Sequence, residues 1–317
     1  MATEADTPPA EEKDAELERA VAYLQSSLKA SLPSNYPPLL LSFAFLQRCL
    51  QTKKLSTLKA ERVACRYACF RRLPGWETVN ATRVFREALT GFNTLLPATD
   101  LAGRVVFTQR MGRLDLQLDD GHGVTSQTSI EAYQRMAYYL LHRALFQKKA
   151  SVGLALLIDF RGFNWSQLRR MRISDFRRGV AMVEESFPAR LDCVYVLHPP
   201  TWIGRLLFIL RPFLRKASMQ KKLVLVEHEE DLLQYIPPEN LPVEFGGHIP
   251  EAAWKETFKR WMQEEQQWGA AMKHLDNQTT AFDCLNLIAA EDVLCGKSCH
   301  TTLSLSADPH QEKRKQS

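Results

Sequence analysis

The spacing of hydrophobic residues divides the chain into regions. From residue 15 to about residue 92, apolar positions recur every three or four residues, which predicts a small unit of amphipathic helices. From 93 to 277, short apolar runs alternate with helical stretches, as in α/β folds with a mostly parallel sheet flanked by helices. Residues 1–14 and 278–317 lack this periodicity. We expect a disordered N-terminal tail and a weakly structured C-terminal tail.

Three apolar runs have the length and composition of strands. The run 153–159 is continuously apolar and ends in an acid, which predicts a central parallel strand buried on both faces. The runs 193–197 and 223–226 follow it. Between the first two, the basic stretch 165–183 predicts one long crossover helix, and such a connection implies parallel pairing.

Upstream of these strands, the sequence predicts a hairpin and a long helix. Residues 100–107 and 112–118 have strand composition with a short connection, so we expect them to pair. Thr128 or Ser129 would begin a helix that reaches Lys148.

The segment 202–214 is unusual because apolar residues occupy most of its helical circumference. It is too short to span a bilayer, which needs about 20 apolar residues. Two interpretations remain open. It is either a buried core helix, or a helix that covers an apolar cavity on one side and meets a membrane on the other. Its arginines would suit anionic headgroups.

Composition sets further limits. The 317 residues are 45% hydrophobic, which is enough for a sizeable core, and the net charge of +5 does not demand nucleic acid as a partner. Seven cysteines without framework spacing indicate a reducing compartment. The acidic first residues do not resemble a signal peptide. We expect a cytoplasmic monomer that is peripheral at membranes.

The N-terminal helical region is markedly basic. Its cations are opposed locally only by Glu61; they are Arg48, Lys53, Lys54, Lys59, Arg62, Arg66, Arg71 and Arg72. Either a solvated helix face or a patch facing a membrane or partner explains them.

Catalytic motifs are missing from the sequence. It contains no Gly-x-Ser-x-Gly elbow, Walker loop, Gly-x-Gly-x-x-Gly or Cys-x-x-Cys. Asp115, Asp119 and Asp120 suit a turn better than a metal site, and Cys65 and Cys69 suit a helix core. We therefore expect no catalytic residue, metal or cofactor.

Several segments together resemble the CRAL-TRIO lipid-binding domain family, which includes the yeast phosphatidylinositol-transfer protein and tocopherol-transfer protein. The segment 153–163 ends Ile-Asp-Phe-Arg-Gly-Phe. Phe-Pro-Ala-Arg-Leu follows at 187–191, Arg-Pro-Phe-Leu at 211–214 and Leu-Pro-Val-Glu-Phe-Gly-Gly at 241–247. The order and spacing of these segments carry the resemblance, which covers roughly residues 39–268.

The resemblance implies an α/β fold with an apolar ligand cavity, closed by a mobile gate helix and preceded by the helical unit. The gate would be 202–214. Gate or membrane contacts would come from Trp202, Ile203, Arg205, Leu206, Leu207, Phe208, Leu210, Arg211, Phe213 and Arg215. The cavity would hold one lipophilic molecule, such as a phospholipid, with a phosphoinositide as one candidate.

By the same resemblance, five polar residues are candidate ligand contacts: Asn164, Ser166, Arg190, His198 and Lys222. Arg190 and Lys222 stand where phosphoinositide-binding relatives place cations, but Ala189 replaces their glutamate and His198 replaces their asparagine. Arg190 could equally pair with a helix end, and Asn164 and Ser166 could be helix caps.

Two functions follow from the resemblance. One is a carrier that transfers or presents its lipid at an anionic membrane surface. The other is a non-transferring scaffold or regulatory module at membranes. An enzyme on this scaffold would need a titratable cluster that the sequence does not reveal.

Overall fold

The computed structural model describes residues 10–31, 41–71, 76, 79–114, 126–145, 153–202, 204 and 223–272. Its helices are α1 (Ala10–Ser31), α2 (Phe43–Thr52), α3 (Thr57–Arg71), α4 (Phe85–Thr90), α5 (Ser126–Leu145), α6 (Trp165–Arg170), α7 (Ile173–Ala181) and α8 (Ala252–Met272). Its strands are β1 (Asn93–Thr99), β2 (Val105–Arg110), β3 (Gly153–Asp159), β4 (Arg190–Leu197) and β5 (Leu223–Val226). Short 3-10 turns lie at Met111–Arg113, Glu229–Gln234, Pro238–Asn240 and Val243–Phe245, and a π turn at Met182–Ser186.

The five strands form one sheet in the order β1-β2-β3-β4-β5. β1 is antiparallel to β2, and every later pair is parallel. The mostly parallel α/β fold is confirmed, with β3 at the centre. Because successive parallel strands advance in one direction, right-handed crossovers place their helices on the same face of the sheet.

The predicted hairpin is wrong in its pairing. β2 pairs with β1, which begins at Asn93, and not with residues 112–118. Within that stretch, Met111–Arg113 is a 3-10 turn and residues 115–118 lie outside the described part of the chain. The β1–β2 turn is closed by Asp100, whose Oδ1 accepts from the backbone N–H groups of Ala102 and Arg104. These hydrogen bonds stabilise a hairpin turn before β2, whereas the sequence predicted the hairpin turn after it.

The crossover between β3 and β4 is two helices and a π turn, not the single predicted helix 165–183. Met171 is extended between α6 and α7, at φ −81° and ψ 132°. The carboxylate of Asp175 then accepts from the backbone N–H of Arg172 at 3.3 Å and starts a new helix. A buried acid thus acts as a cap inside a stretch whose periodicity alone predicts continuity.

Two other helix starts differ from the prediction. α1 begins at Ala10, inside the segment assigned to the N-terminal tail. α5 begins at Ser126, so that Thr128 and Ser129 lie within its first turn and do not precede it. Helix ends predicted from sequence are uncertain by this amount because several polar residues can compete as the cap.

One continuous core joins the N-terminal helices to the sheet. Tyr67 of α3 is fully buried and its ring meets Phe187, ahead of β4, edge to face at 5.3 Å. Tyr138 of α5 also packs against Phe187, at 5.1 Å. A buried aromatic ring of this size contributes about 2 kcal/mol or more. The helical unit therefore stabilises the α/β part directly.

Helix α8 is held against the same core by a carboxylate. Glu265 accepts from the hydroxyl of Tyr139 and from the backbone N–H of Ala81, both at 2.7 Å. Burial raises the pKa of Tyr139, and the neighbouring Glu265 raises it further. One side chain of α8 thus ties together α5 and the segment before α4.

Candidate functional site

One face of the last three strands presents an apolar floor, defined here as Leu156, Ile158, Val194, Val196, Leu223 and Leu225. Strand register places these residues in two rows: Leu156, Val194 and Leu223 form one, and Ile158, Val196 and Leu225 form the other. Alternation along each strand directs all six toward the same face. The two valines are buried, Leu156, Ile158 and Leu223 are half-buried, and Leu225 is 54% exposed.

The opposite face of the sheet is closed. Leu157, Tyr195 and Leu197 are completely buried there. They belong to a second hydrophobic cluster with residues of the segment that follows β5, namely Leu232, Ile236, Leu241 and Phe245. An apolar ligand of any size would therefore have to lie on the floor side.

An aromatic rim stands at the carboxyl end of β3. Phe160, Phe163 and Trp165 all contact or approach Trp202, with ring centroids 6.3, 5.9 and 5.7 Å from it. Trp165 is 50% exposed, and the guanidinium of Arg169 lies 6.0 Å from its ring. Exposed indoles beside cations are typical of surfaces that meet lipid headgroups.

A cluster of ion pairs lies at the carboxyl ends of the parallel strands. Asp159, buried at the end of β3, accepts from both the backbone N–H and Nε of Arg161. Arg161 also donates to Glu229 at 2.8 Å. His198 contacts both acids, through Nδ1 to Asp159 at 3.2 Å and Nε2 to Glu229 at 3.3 Å.

The same cluster extends to β2. Arg110 ends this strand, is buried and pairs with Glu244, which also pairs with Arg113 at 3.0 Å. The guanidinium groups of Arg110 and Arg161 lie over the ring of Phe245, at 5.2 and 5.5 Å. Burial lowers the pKa of Arg110, and Glu244 acts in the opposite direction. These contacts join three strand ends to the segment after β5.

The candidate ligand contacts predicted from sequence separate into two groups. Asn164 is the N-cap of α6: its Oδ1 accepts from Gln167 N and from the Ser166 hydroxyl. His198 lies in the ion-pair cluster. Arg190 lies at the other end of β4, where it pairs in two contacts with Asp192, at 2.6 and 3.0 Å.

These positions limit which residues share a ligand. β4 has eight residues, so Arg190 and His198 are about 25 Å apart at a rise of roughly 3.3 Å per residue. One phosphate group cannot contact both. Lys222 lies outside the described residues, although it directly precedes Leu223, the first residue of β5.

Most of the predicted gate also lies outside the described residues. Among its members only Trp202 is described, as part of the aromatic rim. The others are Ile203, Arg205, Leu206, Leu207, Phe208, Leu210, Arg211, Phe213 and Arg215. Their role stays a prediction.

Sequence reasoning missed the partners in the ion-pair cluster. Asp159 was visible as the acid that ends an apolar strand, and Arg161 lies only two residues after it, but Glu229 and Glu244 gave no sequence signal because they are distant along the chain. The uneven burial of β3 was missed as well, since continuous apolar composition does not reveal which face is covered.

Within the described ranges, no group of three or more His, Cys, Asp or Glu side chains could hold a metal ion. Asp115, Asp119 and Asp120 lie outside those ranges. No described helix is both long and apolar enough to cross a bilayer.

The fold and the floor define a class: an α/β protein whose mostly parallel sheet leaves one apolar face partly uncovered. Residues 89–247, half of the chain, match the family model of the CRAL/TRIO domain. The chain belongs to the CRAL/TRIO family, whose members bind lipids.

Relatives and a solved structure agree with this assignment. Clavesin-2 from Rattus norvegicus is 26% identical over 208 residues, which cover 65% of this chain and 62% of Clavesin-2. Clavesin-1 from Xenopus laevis is 26% identical over 212 residues, 65% of this chain and 61% of Clavesin-1. The match thus spans less than two thirds of these relatives. The crystal structure of Sfh5 matches with a TM-score of 0.51 at 15% identity, over 78% of this chain and 90% of that one, which supports the fold alone.

Proposed function

We propose that this protein binds one lipophilic molecule on the apolar floor and transfers or presents it at a membrane. The floor is the observation that carries the proposal. Its leucines stay partly uncovered while the opposite face of the same strands is closed by its own cluster. Burying apolar surface stabilises a complex by about 25 cal/mol per Å². A lipid chain supplies apolar surface, so it can bind here without any chemical reaction.

Strand topology supports a cover over this floor. β4 and β5 are parallel, so the chain between them must return from the carboxyl end of β4 to the amino end of β5. Parallel connections are right-handed in nearly all proteins, which puts this one on the face that carries the floor. We propose that residues 202–214, which lie in this connection, act as the gate.

The aromatic rim supports contact with an anionic membrane at the mouth of the site. Trp165 is half exposed next to Trp202, where the proposed gate begins. Arg169, Arg170 and Arg172 are exposed on the same short helix or just after it. Tryptophan favours the membrane–water interface, and neighbouring arginines are attracted by the negative surface potential of an anionic membrane.

Headgroup recognition would be carried by Arg190 and Lys222. Both are at the amino ends of adjacent strands, and two cations suit a phosphate dianion. Arg190 already pairs with Asp192, so a phosphate would have to compete with that carboxylate. A phosphoinositide is therefore our specific candidate and a neutral lipophile the alternative.

The decisive experiment is native mass spectrometry of the purified full chain, followed by lipid extraction. We expect one lipid per protein and a transfer activity between liposomes. A chain that is empty, and remains empty after incubation with liposomes, would leave only the scaffold function. A lipid that is retained but never exchanged would point to presentation without transfer.

A further inference from the structure

The break between α6 and α7 places Ser174 at the start of a helix. Met171 and Arg172 are both extended, at φ −81° and ψ 132° and at φ −93° and ψ 146°. α7 then begins at Ile173, so Ser174 is the second residue of its first turn, and it is exposed. In the single helix predicted for 165–183, the same serine would lie near the middle. The folded chain instead presents it at an accessible helix start.

Arginines flank this serine along the chain. Arg169, Arg170 and Arg172 precede it by five, four and two residues, and all three are exposed. Arg178 follows it by one helical turn and lies 3.9 Å from Glu131 of α5. Protein kinases select substrates by such charge patterns, and a kinase with an acidic substrate groove favours a serine among arginines. Because helix ends fray, the first turn of α7 can open into such a groove without unfolding the domain.

The neighbouring acid leaves the arginines dominant at this surface. Asp175 is buried, and its carboxylate accepts from the backbone N–H of Arg172 at 3.3 Å. Its charge is thus engaged at the helix start and is not exposed beside Ser174. A phosphate in the first turn of a helix also gains from the positive end of the helix dipole. The folded chain can therefore accept a phosphate at this position.

We propose that Ser174 is a phosphorylation site whose modification releases the protein from an anionic membrane. The reaction needs ATP and an arginine-directed protein kinase. The Ser174 hydroxyl oxygen forms a bond to the γ-phosphorus of ATP, and the bond from that phosphorus to the β–γ bridging oxygen breaks. ADP leaves, and the hydroxyl proton passes to a base of the kinase. The release rests on the proposed function, in which Trp165 and the neighbouring arginines meet the membrane.

The charges set the size of the effect. A phosphoserine carries about −1.5 to −2 charges at pH 7, against the three exposed arginines that precede it. Arg172 is two residues away, at most about 7 Å along the backbone, which is within the Debye length of about 8 Å at physiological ionic strength. The phosphate therefore offsets most of the local positive charge. Since each cation near an anionic surface strengthens binding roughly fivefold, phosphorylation should weaken it tenfold or more.

The test uses the full chain, ATP with Mg²⁺, and the catalytic domain of protein kinase C. Mass spectrometry of the digested protein should locate a phosphate on Ser174. Sedimentation with phosphatidylserine liposomes should then show binding weakened at least tenfold. Ser174→Ala should bind like the unmodified chain and should not respond to the kinase. Absence of phosphate from Ser174, or unchanged liposome binding once it is phosphorylated, would overturn the proposal.

A pair of variants measures the charge effect without a kinase. Ser174→Glu adds one negative charge at a helix start that tolerates it, and should weaken liposome binding several-fold with unchanged circular dichroism. Ser26→Glu, at an exposed serine of α1, changes the net charge equally and should bind like the unmodified chain. Equal weakening in both variants would mean a general charge effect and no switch at Ser174.

The two proposals fail in different ways. If the unmodified chain does not bind these liposomes, the membrane contact of the proposed function is wrong and the release is wrong with it. If the unmodified chain binds and its phosphorylated form binds equally well, only the role of Ser174 is wrong.

Discussion

The rings of Trp165 and Trp202 meet edge to face, with centroids 5.7 Å apart and planes at 72°. Trp165 opens α6 after β3, and Trp202 follows β4. This contact brings the exits of two adjacent parallel strands together at one edge of the sheet. It leaves half of the Trp165 surface open to solvent, at the place where we propose that the membrane is met.

Trp165→Ala should weaken binding to liposomes that contain phosphatidylserine. Inserting a half-exposed indole is worth about 1 kcal/mol, so we expect roughly a fivefold loss in a sedimentation assay. Tyr23→Ala removes an aromatic ring that is 64% exposed on α1, far from the rim along the chain, and should change little. Equal losses in both variants would argue against the rim as the membrane contact.

Leu156→Trp should block the floor. The larger ring would occupy space above the sheet, and we expect the amount of co-purified lipid to fall by half or more. Overpacking costs about 1–3 kcal/mol, so thermal unfolding must confirm that the variant is folded. Leu101→Trp, at a position 66% exposed in the β1–β2 turn, is the matched control. Full lipid occupancy in Leu156→Trp would mean that the ligand lies elsewhere.

Phe208→Asp tests the proposed gate. A charge in that apolar segment opposes contact with the bilayer interior, and we expect transfer between liposomes to drop at least tenfold with the fold unchanged by circular dichroism. Unchanged transfer would count against residues 202–214 as the gate.

Arg190→Ala combined with Lys222→Ala tests the headgroup site. Each charged hydrogen bond is worth about 1.5 kcal/mol or more, so we expect phosphoinositide binding to weaken at least tenfold while binding of an uncharged lipid is retained. Lys255→Ala with Lys259→Ala removes two exposed cations of α8 as the control. If the uncharged lipid is lost equally, Arg190 and Lys222 are structural.

Gly247→Ala should destabilise the chain by about 2 kcal/mol or more, measured by chemical denaturation. An added Cβ would lie 2.1 Å from the backbone oxygen of Leu241, which cannot move without distorting its turn. Gly179→Ala has the opposite expectation. Its Cβ would meet nothing within 4 Å, and Gly179 lies two residues before the end of α7, so the higher helix propensity of alanine should raise stability by up to about 1 kcal/mol. Equal effects would show that the close approach at Gly247 is relaxed in solution.

Patterns along the chain were enough to predict the α/β class, the helical unit before it and the strands β3, β4 and β5. Each of these rests on local periodicity or on a continuous apolar run, which a single segment displays without its neighbours. The family resemblance also depends only on the order and spacing of segments along the chain, and the family match confirms it.

How those segments pair and pack is visible only in the folded chain. β1 replaces residues 112–118 as the partner of β2 because pairing is a contact between distant residues, and composition does not specify it. β3 is buried more completely on one face than on the other, because the segment after β5 covers that face. His198 joins Asp159 and Glu229 for the same reason: residues 39 and 31 positions apart become neighbours only when parallel strands align their carboxyl ends.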